Sequence, residues 1–329
     1  MSSIPKVKFL IIRFSSIGDI VLTTPVIRCL KQQVEGAEIH YLTKKRFSTI
    51  VKSNPYIDKV HEFDGELSKT ISYLKKEKFH YIIDLHRSIR SKIVKSRLKV
   101  LSFSFHKLNI HKWIRVNFKI NILPDIHIVD RYFKTVSVFD VENDNKGLDY
   151  FIPKEDEINL NKLPIKIQDK FIAFVVGAKH ATKQLPVEKM ISLCQKLPYP
   201  VILLGGKKDV ALGDKIEKDA GAGVFNASGK YNLNQSASLV KQSEVVITHD
   251  TGLMHIAAAF KKKIISIWGN TIPEFGMYPY QPGEKSEIIE VKNLKCRPCS
   301  KIGHNKCPKK HFKCMNEISE EKIIKSIMN

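Results

Sequence analysis

The residues most able to do chemistry stand where apolar runs end. Phe9–Ile12 is apolar throughout, and RFSSIGDIVLTTPVIRCLK follows it from Arg13 to Lys31. Gly18 allows a tight turn or the close approach of a ligand. Asp19 then sits at the mouth of an apolar-periodic helix, with Ser16 on the same turn. A carboxylate there is either a cap on the helix N-terminus or a general base that takes a proton from a substrate hydroxyl. A second junction, THDTGLMHIAAAF, spans 248–260. Thr251 and Gly252 open a helix whose free N–H groups and dipole suit a diphosphate. Asp250 would repel phosphate, so it reads as a partner for sugar hydroxyls or as a helix cap, and His255 as a ligand contact or a surface residue. A third junction, GAKHATKQLP at 177–186, places Lys179, His180, Thr182 and Lys183 after the apolar run FIAFVV. GGKKD at 205–209 is a further glycine turn.

These junctions need a scaffold of strands and helices. In the first half KFLIIRF, EIHYLT, KVHEF, YIIDL and KVLSF read as strands, separated by helical patterns after Gly18 and over Leu67–Lys76 and Arg87–Leu98. In the second half FIAFVV, PVILLGG, GVFNA, EVVITHD and IISIWG read as strands, with helices at 187–197, 209–219, 233–242 and 252–260. Apolar strands alternating with amphipathic helices indicate parallel sheets covered on both faces. The fold class is therefore α/β, with two doubly wound domains. We expect an N-terminal domain over 1–155, a C-terminal domain over 170–318 and a final helix over 319–329 that packs back on the N-terminal domain. Polar residues 153–169, with two prolines, read as a linker. In such sheets ligands bind outside the carboxyl ends of the strands, where all three junctions lie.

The 329 residues carry a formal net charge of +22, with 43% hydrophobic and 27% charged residues. No apolar run approaches the ~20 residues of a membrane span, and a cytoplasmic location is the default expectation. The excess charge reads either as solubility or as attraction to an anionic partner. Nucleic acid is disfavoured as that partner, because the basic residues are dispersed and no aromatic-interleaved binding motif occurs.

The junctions resemble glycosyltransferase family 9, the ADP-heptose:lipopolysaccharide heptosyltransferases. The matching residues are R…SSIGDIVLTTPVIRCLK, DLHRSIRS at 84–91, K…P at 183–186, GGKKD at 205–209, DTGLMHIAAA at 250–259 and the C-terminal C…CP…HFKCM. They run from residue 13 to 315. The resemblance implies two Rossmann-like domains of GT-B architecture, an acceptor bound mainly by the first and a nucleotide sugar by the second. It implies Asp19 as the catalytic base and Lys183, Thr182, Asp250, Thr251, Gly252 and His255 at the donor. Acceptor contacts are expected from Ser16, Gly18, Arg87 and Arg90; a solvated basic face is the alternative for the two arginines. One departure is Leu185, where the family usually has an aromatic before the proline.

The implied reaction is inverting transfer of heptose from ADP-heptose, or of another sugar from a related nucleotide, to an anionic glycolipid of the lipopolysaccharide inner core. The implied enzyme sits peripherally at the cytoplasmic face of the inner membrane and requires no cofactor for catalysis. Cys29 and Cys194, in apolar-periodic segments, read as core residues. Cys296, Cys299, Cys307 and Cys314 lie within 19 residues, with His304 and His311 between them. Their spacing suits a structural zinc site or reduced thiols packing a loop.

Overall fold

The computed structural model describes residues 6–164 and 170–329. Five strands form one parallel sheet: β1 (Val7–Ile12), β2 (Ala37–Lys44), β3 (Lys59–Phe63), β4 (Tyr81–Asp84) and β5 (Leu101–Ser104), in the order β3-β2-β1-β4-β5. Six form a second: β6 (Ile172–Val175), β7 (Val201–Leu204), β8 (Val224–Asn226), β9 (Val245–His249), β10 (Lys263–Trp268) and β11 (Glu287–Glu290), in the order β11-β10-β9-β6-β7-β8. All ten strand predictions fall on strands, and β11 is additional. It escapes sequence reading because it is an edge strand of four residues, IIE after a glutamate, with little apolar contrast. In each sheet the winding reverses beside its first strand, between β1 and β4 and between β6 and β9. The central strands are buried on both faces, as their apolar runs require.

The helix expected after Gly18 is two helices, Ile17–Val21 and Thr24–Gln33. Pro25 is the cause. Its ring would clash with the carbonyl four residues earlier, at Val21, and it has no N–H to donate, so it opens a new helix instead. Arg28 on that second helix is buried and pairs with Asp144 at 2.7 Å and with Asp149, fastening 144–149 over the helix.

The chain divides into two compact units, one of Met1–Lys107 and Ile126–Phe151, the other of Leu108–Asp125 and Ile152–Asn329. This differs from the expected domains in three ways. The segment Leu108–Asp125 belongs with the second unit. Residues 152–164 do too, and Ile158 donates to the Ser238 hydroxyl at 2.9 Å; residues 165–169 of the expected linker lie outside the described residues. Finally, the C-terminal helix Glu320–Met328, capped by Ser319, belongs with the second unit. Ile323 and Ile327 join the second unit's core with Met190, Leu193 and Ile289. Glu320 accepts from Ser192 at 2.7 Å and from Lys196 at 2.9 Å. The helix's apolar stripe thus finds its cover on the adjacent sheet. Cys29 and Cys194 are buried in the cores, as expected.

Candidate active site

In the first unit the carboxyl ends of β1 and β4 are neighbours, since Ile12 pairs with Asp84. Asp19, in the first turn of Ile17–Val21, accepts the Ser16 backbone N–H at 3.1 Å and the Ser16 hydroxyl at 2.7 Å. Its other oxygen lies 2.5 Å from the Arg13 guanidinium. Arg13 is buried and also donates to Leu85 O at 2.5 Å and to the Tyr132 hydroxyl at 3.0 Å. Burial works against the guanidinium's charge, but Asp19, Tyr132 and Tyr41 together more than offset it, so the Arg13 pKa is raised. Asp19 is therefore both a cap and one half of an ion pair, whose guanidinium is held in turn by the loop after β4 and by the helix Ile128–Phe133. Ser16 gives its hydroxyl to Asp19 and so orients the carboxylate.

Sequence reading missed three groups here: Arg13, His86 and Lys107. Arg13 lay in the quoted motif, but nothing in a sequence indicates what a guanidinium will face. Burial, then the positive charges of Arg13 and Lys107, push His86 down to about 4. Its ring is uncharged at neutral pH, and its Nδ1 has no hydrogen-bond partner among the described residues. Lys107 is lowered by burial and by Arg13. Asp84, fully buried, accepts the N–H groups of His86 at 3.0 Å and Arg87 at 2.7 Å and fixes this turn.

Arg87 and Arg90 have different partners. Arg87 reaches back to Phe105 O at 3.2 Å, whereas Arg90 stands over the Phe63 ring at 5.8 Å. Arg90 there lines a hollow of about 430 Å³ with Lys44, Lys45, Arg46, Phe63, Asp64 and Gly65. Burial and the charges of Arg46 and Arg90 hold Lys44 below its ordinary pKa. An anion in that hollow would relieve the repulsion.

In the second unit β6 and β9 are paired, with Val175 opposite Thr248, and their following loops meet. Lys183, on the short turn Ala181–Lys183 after β6, lies 2.5 Å from the Asp250 carboxylate after β9. The Thr271 hydroxyl reaches the same Asp250 oxygen at 3.1 Å. Thr271 is held in turn by Arg297, which donates to its carbonyl at 2.8 Å and pairs with Glu290 at 2.6 Å. Thr251 precedes the helix Gly252–Ala259, and its side chain makes no capping hydrogen bond, so the first-turn N–H groups have no side-chain cap. Its hydroxyl lies 3.2 Å from that of Thr248. His255 is buried on this helix. The loops pack closely: a Cβ on Gly177 would stand 2.2 Å from an Asp209 oxygen, which explains that glycine and ties GGKKD to the β6 loop.

Thr182 is buried, donates to His304 O at 2.9 Å and accepts from His304 N at 2.8 Å. It pins the cysteine-rich segment to the loop that carries Lys183. The four cysteines do not form a closed metal set. Among the described residues, the His, Cys, Asp and Glu atoms that converge in threes or more belong to His40, His61 and Glu77. Cys314 is turned into the core, and burial pushes Cys299 up to about 11 and Cys314 up to about 12. Leu185 at the departure from the family pattern is buried and donates its N–H to His249 at 3.0 Å.

The sequence profile of Glycosyltransferase family 9 (heptosyltransferase) matches residues 67–310. The chain belongs to this family. A lipopolysaccharide heptosyltransferase 1 of Campylobacter coli is 26% identical across 97% of this chain and 98% of its own length. The family 9 glycosyltransferase of Veillonella parvula superposes with a TM-score of 0.79 at 20% identity, over 98% of this chain and 96% of that one. Escherichia coli ADP-heptose lipopolysaccharide heptosyltransferase II gives 0.74 at 19% identity, over 98% and 97%. The family 9 enzyme described here is thus a glycosyltransferase with two Rossmann-like domains in the GT-B architecture. Its two strand-end junctions occupy the winding reversals at which such sheets take ligands.

Proposed function

We propose that this family 9 glycosyltransferase moves heptose from ADP-heptose to an acceptor of the lipopolysaccharide inner core, by a single displacement with inversion. The observation that carries the reading is the Lys183–Asp250 pair beside the helix Gly252–Ala259. The Lys183 ammonium and the first-turn N–H groups meet the charge that builds on the departing diphosphate. Asp250 and Thr251 accept and donate to sugar hydroxyls. Asp19 takes the proton of the attacking hydroxyl, held in place by Arg13 and Ser16. The basic hollow of Lys44, Arg46 and Arg90 receives an acidic group of the acceptor. The names of the relatives support the donor and the pathway. No helix among the described residues is long and apolar enough to cross a membrane. We place the enzyme in the cytoplasm, meeting its glycolipid at the membrane surface through basic residues.

The test is product formation and thermal stabilisation with ADP-heptose, UDP- and GDP-sugars in parallel, since a bound donor raises stability by mass action. Turnover and stabilisation confined to ADP-heptose sustain the reading. Equal or better use of a UDP- or GDP-sugar overturns it.

A further inference from the structure

The helix Asn109–Phe118 is turned the wrong way for a soluble protein. An amphipathic helix normally lays its apolar stripe on the core and its charges in water. Here no residue of the helix is buried, and the apolar side chains face out: Ile110 is 73% exposed, Trp113 52% and Phe118 60%. At 100° per residue, Ile110, Trp113, Ile114 and Phe118 share one side. Lys112, Arg115 and Lys119 fall on the opposite side, and that side is fastened to the protein. The Lys112 ammonium lies 5.5 Å from the centre of the Phe275 ring. Lys119 donates to Pro298 O at 2.7 Å, and Arg115 caps the helix end at Lys119 O. The Trp113 and Phe118 rings meet edge-on at 5.4 Å, which holds the aromatic pair together in the open. Beyond the helix, Ile120 and Ile122 are also exposed.

We propose that this outward face inserts into the interfacial layer of an anionic lipid bilayer. The proposal deepens the membrane contact proposed above and places it on the second unit. Charge selects the occupant. From Pro298 the chain runs into a segment with exposed Lys301, Lys306, Lys309 and Lys310 and an exposed Ile302. Lysines together with Trp, Phe and Ile are the composition of an interfacial anchor, in which rings enter the headgroup boundary and ammonium groups meet lipid phosphates. A second copy of this chain would bring another net charge of +22, which opposes self-association.

The chain has two tryptophans, and Trp268 is 1% exposed, so Trp113 reports on this surface. The full chain is mixed with vesicles of phosphatidylglycerol and phosphatidylethanolamine, or of phosphatidylcholine alone. With the anionic vesicles we expect a blue shift of Trp113 emission and quenching by lipids brominated on their acyl chains. Combining Ile110→Ser, Trp113→Ser and Phe118→Ser should weaken co-sedimentation roughly tenfold or more while ADP binding stays unchanged. Absence of quenching, or unaltered co-sedimentation of the triple variant, overturns the proposal. So does a wild-type dimer in sedimentation velocity that the triple variant abolishes without loss of vesicle binding. No nucleotide sugar enters these measurements, so they can fail while the donor reading stands, and the reverse.

Discussion

Each unit sets a carboxylate against a cation at the place where its sheet reverses, but the two pairs are built differently. The Arg13 guanidinium is buried and locked by Leu85 and Tyr132 as well as by Asp19, and Asp19 is fixed a second time by Ser16. Lys183 stands on a three-residue turn, and its one close acidic partner among the described residues is Asp250. An arginine fork holds several acceptors at once in a fixed geometry, whereas an ammonium on a flexible stem can exchange partners. The first pair holds an acid in one orientation. The second can open to admit an anion. The contrast suits the roles proposed above, a proton at the first pair and a leaving group at the second.

The sharpest way to break this comparison is Asp19→Asn. The amide keeps the shape but cannot accept a proton, so turnover at saturating substrates should fall about 100-fold to 10,000-fold, with ADP affinity unchanged by calorimetry. A loss of only a few-fold would reduce Asp19 to a helix cap.

Acid should then separate the pairs from their supports. His61, His86 and His249 are each pushed down to about 4, with burial the largest cause. In the unfolded chain they titrate near 6.5. Between these values the unfolded state binds more protons, so stability falls as pH drops from about 6.5 toward 4. The fully buried His249 alone contributes on the order of 3 kcal/mol across that window. Glu38 and Asp144, held near 2 by their partners, act only below the ordinary carboxylate range. Melting curves from pH 7 to 4 should show the loss, and His249→Gln should make it shallower. A flat profile to pH 4.5 would contradict the buried neutral imidazoles.

Lys183→Ala should weaken ADP binding by about 1.5–3 kcal/mol, the worth of a charge-assisted contact. Asp250→Asn, which frees the ammonium from its internal partner, should not weaken ADP binding. Calorimetry on both variants sharpens the claim that this pair opens; equal losses would mean it is a fixed structural bridge like Arg13–Asp19. The smallest effect is expected for Thr182→Val. Two hydrogen bonds to His304 are lost, and stability should drop by about 1–3 kcal/mol, with the Kd for ADP moving less than for Lys183→Ala.

Much of this was legible in the chain. Continuous apolar runs such as Phe9–Ile12 and Val245–Ile247 can be buried only as central strands, and glycines and acids after them mark turns at strand ends. That reading located Asp19, Lys183 and the Asp250–Gly252 junction, because strand periodicity and turn chemistry are local. It misjudged the helix after Gly18, where Pro25 divides one pattern into two elements. It could not tell which unit the last helix joins, since an apolar stripe does not name its partner.

What the tertiary structure decided is which strand ends become neighbours. The pairing of β1 with β4 spans about 70 residues and that of β6 with β9 a similar stretch. It is this pairing that sets Arg13 on Leu85 and Lys183 on Asp250. Local propensity is blind to such contacts, because their free energy comes from packing whole elements together. The same holds for the helix Asn109–Phe118. Its sequence determines that it has an apolar side. Only the attachment of Lys112 and Lys119 to the second unit turns that side outward.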